Sequence, residues 1–177
     1  MISVLFGGVT ALLPIFAKEI LLIGPKGLGA LRAAPAIGAA LMSFYLAKNP
    51  EHFRSGRVLL VSVAGFGLCI LLFGFSTNAY LSFAALLVSG VFDSISMVIR
   101  SAAVQLTSPD HMRGRVSAVN SIFIGSSNEI GEFESGIAAK LLGPVPAVYL
   151  GGLVCLLTVG SVAWLSPSLR RMDLRKI

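Results

Sequence analysis

The chain has 177 residues, of which 55% are hydrophobic and 12% charged, with a mean hydropathy of +0.87, whereas soluble domains carry charge on about a quarter of their residues. That balance excludes an ordinary soluble domain and marks an integral membrane protein. The net charge of +6 does not imply nucleic acid, because Lys and Arg lie at the ends of apolar runs without the interleaved aromatics of a base-stacking surface; membrane lipid is the expected partner.

The predicted elements are six apolar helices, each near the ~20 residues needed to cross about 30 Å of hydrocarbon. They run approximately over residues 1–17, 29–47, 58–75, 80–106, 116–139 and 144–165. Gly24-Pro25, Asn49-Pro50, Ser76-Thr77-Asn78, Ser108-Pro109-Asp110 and Gly143-Pro144 separate them as helix-ending or turn-forming clusters, and the short connections imply antiparallel neighbours. The fold class is therefore all-α, a polytopic bundle of about six spans over residues 1–165, followed by a basic tail at 166–177. A secretory signal peptide is not expected, since no basic region precedes the first apolar run and no small-residue cleavage site follows it.

Charge placement orients the bundle. Lys48, Arg54 and Arg57 occupy one loop, Arg113 and Arg115 the next loop on the same side, and Arg170, Arg171, Arg175 and Lys176 the tail, against Lys18, Lys26 and Lys140 opposite. The positive-inside rule puts the richer side, and with it the C-terminus, in the cytoplasm.

A charged side chain at bilayer depth costs at least ~2.5 kcal/mol on insertion scales, so intramembrane charges mark pathways or networks. In the fifth helix Ser121, Gly125, Asn128, Glu129, Glu132, Ser135 and Gly136 share one stripe, while Ile122, Phe123, Ile130 and Phe133 lie mostly outside it. That stripe is expected to face the bundle interior or a wet cavity. Substrate or proton handling by Glu129 and Glu132 and a structural or gating hydrogen-bond network both fit it; Glu134 points away, nearer the outer end. The fourth helix carries a matching stripe of Ser82, Ser89, Asp93, Ser96, Arg100 and Thr107. Asp93 and Arg100 are separated by about 10 Å along the axis at ~1.5 Å per residue, too far to pair directly, so either they take partners on other helices or they fix helix packing. Arg32, at the outer end of the second helix, reads as an interfacial anchor or a substrate ligand.

The run Ala33-Ala34-Pro35-Ala36-Ile37-Gly38-Ala39-Ala40 is a small-residue surface suited to close helix approach, and Pro35 can bend it. Cys69 and Cys155 lie deep in apolar runs and behave as small hydrophobes. His52 and His111 are isolated loop residues and form no metal set. No nucleophile elbow, phosphate loop or HExxH is present, so no enzyme, metal or cofactor is expected.

At these residues the chain resembles a family. Arg54-Ser55-Gly56-Arg57 is similar to the end of the RxGRR loop signature of the major facilitator superfamily, and Arg100-Ser101-Ala102-Ala103-Val104-Gln105 to its intramembrane RxxxQ pattern. The run SPDHMRGRVSAVNSIFIGSSNEIGEFESG from Ser108 to Gly136, with LRAAPAIGAAL before it, resembles the tenth-to-eleventh helix region of the superfamily's enterobactin-exporter-like branch. The resemblance implies a C-terminal six-helix half, built from inverted three-helix repeats and facing a second half across the substrate site. Met1 opening directly on apolar residues fits a fragment, an alternative start or a misplaced gene boundary. The loop at 48–57 lacks the acidic residue of the full signature unless Glu51 substitutes.

The resemblance further implies a secondary active transporter of the plasma membrane, an exporter of hydrophobic or amphipathic small molecules by proton antiport. Glu129, Glu132, Asn128, Asp93, Arg100 and Arg32 would serve the substrate and proton pathway, with Glu132 or Glu129 carrying the proton. Arg54, Gly56, Arg57, Arg113, Gly114 and Arg115 would form the cytoplasmic gating loops. The partners implied are a small-molecule substrate and either a missing N-terminal half or a second copy. A non-transporting fragment or a structural or regulatory half-subunit would share the same hydropathy and motifs.

Overall fold

The computed structural model describes residues 2–48 and 56–165, with side chains from Val9 onward. Every element among them is helical: α1 (Ile2–Ile15), a π-helical turn (Phe16–Ile20), α2 (Gly24–Lys48), α3 (Gly56–Phe75), α4 (Ala79–Thr107), a 3-10 turn (Asp110–Met112), α5 (Arg113–Leu142) and α6 (Pro144–Leu165).

The boundaries follow from local chemistry. The Leu21 amide bonds the Phe16 carbonyl at 2.8 Å, a five-residue step that widens the end of α1. The chain then reverses at Leu22, which holds φ at 52°. Gly24-Pro25, expected as the break itself, instead opens α2; proline is favoured in a first turn because its missing N–H would be unpaired there anyway. Asn78 caps α4, its side chain accepting from the Tyr80 amide at 2.9 Å. Gly143 ends α5 at φ 94°, where a residue bearing a Cβ is strained, and Pro144 starts α6.

Four helices, α2, α3, α4 and α6, are long and apolar enough to cross a membrane. The other two depart for visible reasons. Regular α-helix in α1 lasts 14 residues before it widens, and α5 carries Glu129, Glu132, Glu134 and Lys140.

In the bundle α2 packs on α4, α1 on α5, and α3 between α4 and α6, while α6 also touches α1 and α5. Most of this pattern has the symmetry of an inverted three-helix repeat, the α5–α6 contact excepted, which has no α2–α3 counterpart of similar extent. Exchanging α1 with α4, α2 with α5 and α3 with α6 maps the α1–α5 contact onto α4–α2, the α3–α4 contact onto α6–α1, and α3–α6 onto itself. The core lies on the α3 side: Leu13, Phe16, Leu31, Phe66, Ile70, Phe73, Leu86 and Val148 are buried in one cluster, with the Phe16 and Phe73 rings 4.8 Å apart. Tyr149 of α6 donates to the Gly74 carbonyl of α3 at 3.2 Å.

The closest helix pair is α2 with α4. A Cβ on Gly38 would run into the Leu87 carbonyl of α4, and one on Gly90 into the Pro35 carbonyl of α2. The small-residue surface at 33–40 thus does what its composition predicts, since close backbone approach replaces the hydrophobic drive that helices lack within lipid. Ser43 of α2 and Ser94 of α4 share a hydrogen bond at 2.9 Å that ties the same pair nearer its other end.

This interlock predicts that Gly38→Ala and Gly90→Ala each destabilise the bundle by about 1–3 kcal/mol, the usual range for overpacking. Gly29→Ala, with nothing within 4 Å of its added Cβ, is the neutral control. Cys69 and Cys155 are buried, so a thiol-reactive dye reports melting of purified protein directly. Equal melting temperatures in all three variants would show that the contact is not tight.

Candidate functional site

The two polar stripes have different fates. In α4, Ser82, Ser89 and Ser96 are buried at seven-residue intervals, and Ser94 beside them is buried too. Ser89 donates to the Leu86 carbonyl of its own helix at 2.7 Å. Most of this stripe is a packing face made of small hydroxyl residues. Asp93 and Arg100 are half-buried on it and form no ion pair among the described residues; the Arg100 Nε instead donates to the Ser96 carbonyl one turn back at 3.3 Å. Thr107 is exposed and bonds the Ala103 carbonyl.

In α5 the stripe lies open. Gly131 is the one buried residue of this 30-residue helix, and it sits away from the stripe. Ser121, Gly125, Glu129, Glu132 and Gly136 are exposed, with Asn128 and Ser135 half-buried at the margin where α1 packs. The stripe therefore does not face the bundle interior; the interior is already filled by α3, and α5 meets it edge-on through α1 and α6. Ile122, Phe123, Ile130 and Phe133, expected outside the stripe, are exposed by 59–72% on an adjoining apolar face. Glu134 is exposed among them.

Ser121 donates to the Ser117 carbonyl of its own helix; Glu132 is the stripe residue with a described partner on another helix. Its Oε1 accepts from Thr10 Oγ1 of α1 at 3.2 Å. Beside that bond opens a cavity of about 360 Å3 lined by Thr10, Ala11, Leu13, Arg32, Pro35 and Glu132, so three helices converge on it. Arg32 accordingly shares a wall with Glu132. Position along α2 suggests an anchor; the cavity depends on how α1, α2 and α5 meet, which spacing within one helix does not reveal. For the same reason the sequence reading missed Thr10, a lone hydroxyl in an apolar run. Glu129, Asn128, Asp93 and Arg100 do not line this cavity.

At the other end of the bundle a smaller space of about 40 Å3 is lined by Ser101, Gln105, Ser108, Arg113, Ser117 and Asn120, which brings Gln105, five positions after Arg100, to the α4–α5 connection. Arg113 pairs with Asp110 at 2.8 Å, an exposed pair worth little in itself. Arg113 and Arg115 occupy the first turn of α5, where the helix dipole disfavours cations. Gly56 is buried at the start of α3, Gly114 and Arg57 are exposed, and Arg54 and the tail at 166–177 lie outside the described residues. No group of His, Cys, Asp and Glu among the described residues could hold a metal ion.

An open polar stripe predicts differential water access. Cysteines at Gly125, Glu129 and Glu132 should react with a charged, membrane-impermeant thiol reagent, and cysteines at Ile130 and Phe133 should react at least tenfold more slowly. Equal rates on both faces would remove the stripe as an aqueous wall.

Comparison with known proteins agrees with this architecture. A family model described as transmembrane secretion effector, within the major facilitator superfamily, matches residues 2–176. Curated relatives are the proteins named enterobactin exporter EntS from Escherichia coli O1:K1 / APEC and from Escherichia coli O45:K1 (strain S88 / ExPEC). Each is 26% identical over 125 residues, a stretch that covers 71% of this chain and 30% of the relative. No solved structure matches significantly. The family is one of transporters rather than enzymes, and its members are multi-pass membrane proteins that act in export. The chain belongs to the transmembrane secretion effector family of the major facilitator superfamily.

Proposed function

We propose that the chain forms the C-terminal six-helix half of a secondary active transporter of the plasma membrane, which exports a small hydrophobic or amphipathic molecule in exchange for protons. The observation that carries this reading is the open stripe of α5, with Glu132 and Arg32 facing one cavity. Polar groups at membrane depth require water or a protein partner, since an unsatisfied one costs several kcal/mol in hydrocarbon. A second six-helix half, or a second copy of this bundle, supplies that partner by closing over α1, α2 and α5, and the substrate site then lies between the halves. In this arrangement α1, continued through its π turn, and α5 also span the bilayer, because protein and cavity water rather than lipid surround their polar residues.

Glu132 is the leading candidate for the exchanged proton and Glu129 the internal comparison, three residues away on the same stripe. Glu132→Gln in the assembled transporter should abolish proton-driven accumulation and leave substrate exchange measurable at saturating substrate, since the amide keeps the bond to Thr10 but cannot carry a proton. Vesicle flux with and without an imposed pH gradient reads the difference. Normal pH-dependent transport in both Glu132→Gln and Glu129→Gln would move coupling away from α5.

The cytoplasmic gating loops and the C-terminal tail follow from the positive-inside rule. Asn78→Cys should label from outside intact cells, and His111→Cys only after permeabilisation, with little background from buried Cys69 and Cys155. The reverse pattern would invert the topology.

A further inference from the structure

The cavity between α1, α2 and α5 holds one cation and one anion that do not pair with each other. Glu132 accepts from Thr10, Arg32 has no hydrogen-bond or ion-pair partner among the described residues, and both line the same space with Ala11, Leu13 and Pro35. Opposite charges attract, so two exposed ones that line one cavity unpaired leave it complementary to a ligand that presents the reverse pair. The remaining lining is apolar, and a volume of about 360 Å3 falls within the range of ~300–1,000 Å3 typical of small-molecule pockets.

We propose that this cavity takes a zwitterionic amphipathic molecule, with an acid group held by Arg32, an ammonium group held by Glu132, and an apolar body against Ala11, Leu13 and Pro35. The assignment of this site to a transported substrate rests on the transport reading above. A guanidinium offers a planar fork to a carboxylate. An ionised carboxylate, with Thr10 already donating to one oxygen, accepts an ammonium on what remains. A singly charged ligand satisfies one wall and leaves the other charge facing its apolar body.

This chemistry also couples the ligand to protons. The ammonium group and a proton compete for the same carboxylate, so loading Glu132 with one displaces the other. Few other charges intrude. The described part of α1 and all of α6 bear none, and the Tyr149 hydroxyl and Cys155 thiol of α6 lie against α3. Glu129 is a turn away on α5, Asp93 and Arg100 on α4 are not in the cavity lining, and Lys18 and Glu19 sit in the π turn beyond it.

The test is equilibrium binding of radiolabelled 4-(aminomethyl)benzoate, 4-methylbenzoate and 4-methylbenzylammonium to the full chain in lipid nanodiscs. The zwitterion should bind at least tenfold tighter than either singly charged compound. Arg32→Gln should weaken the zwitterion and the benzoate at least tenfold while leaving the ammonium compound within twofold, and Arg32→Lys should recover most of the loss. Glu132→Gln should do the converse. Equal or tighter binding of a singly charged compound, no binding of any of the three, or variants that keep the preference would overturn the proposal. Zwitterion binding without flux in vesicles would retain the site and sink the transport reading; flux of a singly charged amphiphile without zwitterion preference would do the reverse.

Discussion

The backbone contact between α2 and α4 places the candidate site. Gly90 leaves room for the Pro35 carbonyl, and Gly38 for the Leu87 carbonyl, so α2 is held at one depth and one rotation against α4. Pro35 is both a contact residue and a wall of the cavity, and Arg32 lies one turn before it on the same side. A larger residue at either glycine would push the helices apart and carry the guanidinium away from Glu132. Small side chains deep in the bundle thus govern the distance between two charges on its open face.

Solvation explains why two stripes that look alike in sequence end in different environments. A serine hydroxyl can satisfy itself on a carbonyl of its own helix, as Ser62 and Ser89 do, and so can be buried at modest cost. Ser82 and Ser96, whose hydroxyls find no partner, show that the α4 stripe is tolerated for its small volume more than for its polarity. A glutamate has no such recourse, because its acceptors need donors from elsewhere and helix N–H groups are already used. Burial selects the hydroxyls of α4 for the interior and leaves the carboxylates of α5 on the open side.

That difference marks how far the sequence could be read. Six helices, their turn clusters and the small-residue surface at 33–40 follow from hydropathy, Gly-Pro chemistry and composition, all local properties. The α2 start at Gly24 was displaced because a Gly-Pro pair both ends and begins helices, and the reversal at Leu22 has no sequence signature in a residue that rarely takes positive φ. The stripe on α5 was legible as a stripe, yet its open orientation depends on which neighbours fill the core. The meeting of Thr10, Arg32 and Glu132 spans 122 positions from first to last, and single-helix periodicity is silent on contacts of that range.

The internal symmetry of the bundle sharpens the contrast between its two lateral pairs. By the repeat relation α2–α4 corresponds to α5–α1, but the first is locked by carbonyls seated against glycines and a Ser43–Ser94 bond. The second is joined by the exposed Thr10–Glu132 bond, with Gly125 and Gly136 of α5 facing open space. Sliding a backbone-interlocked pair requires the helices to separate first, because packed interfaces are bistable rather than continuously deformable. A pair joined through side chains can shift by exchanging hydrogen-bond partners. The Thr10–Glu132 bond across α1 and α5 ends on a carboxylate that a proton or a cationic ligand would neutralise, so the more adaptable pair also includes a contact that answers to the occupancy of the cavity.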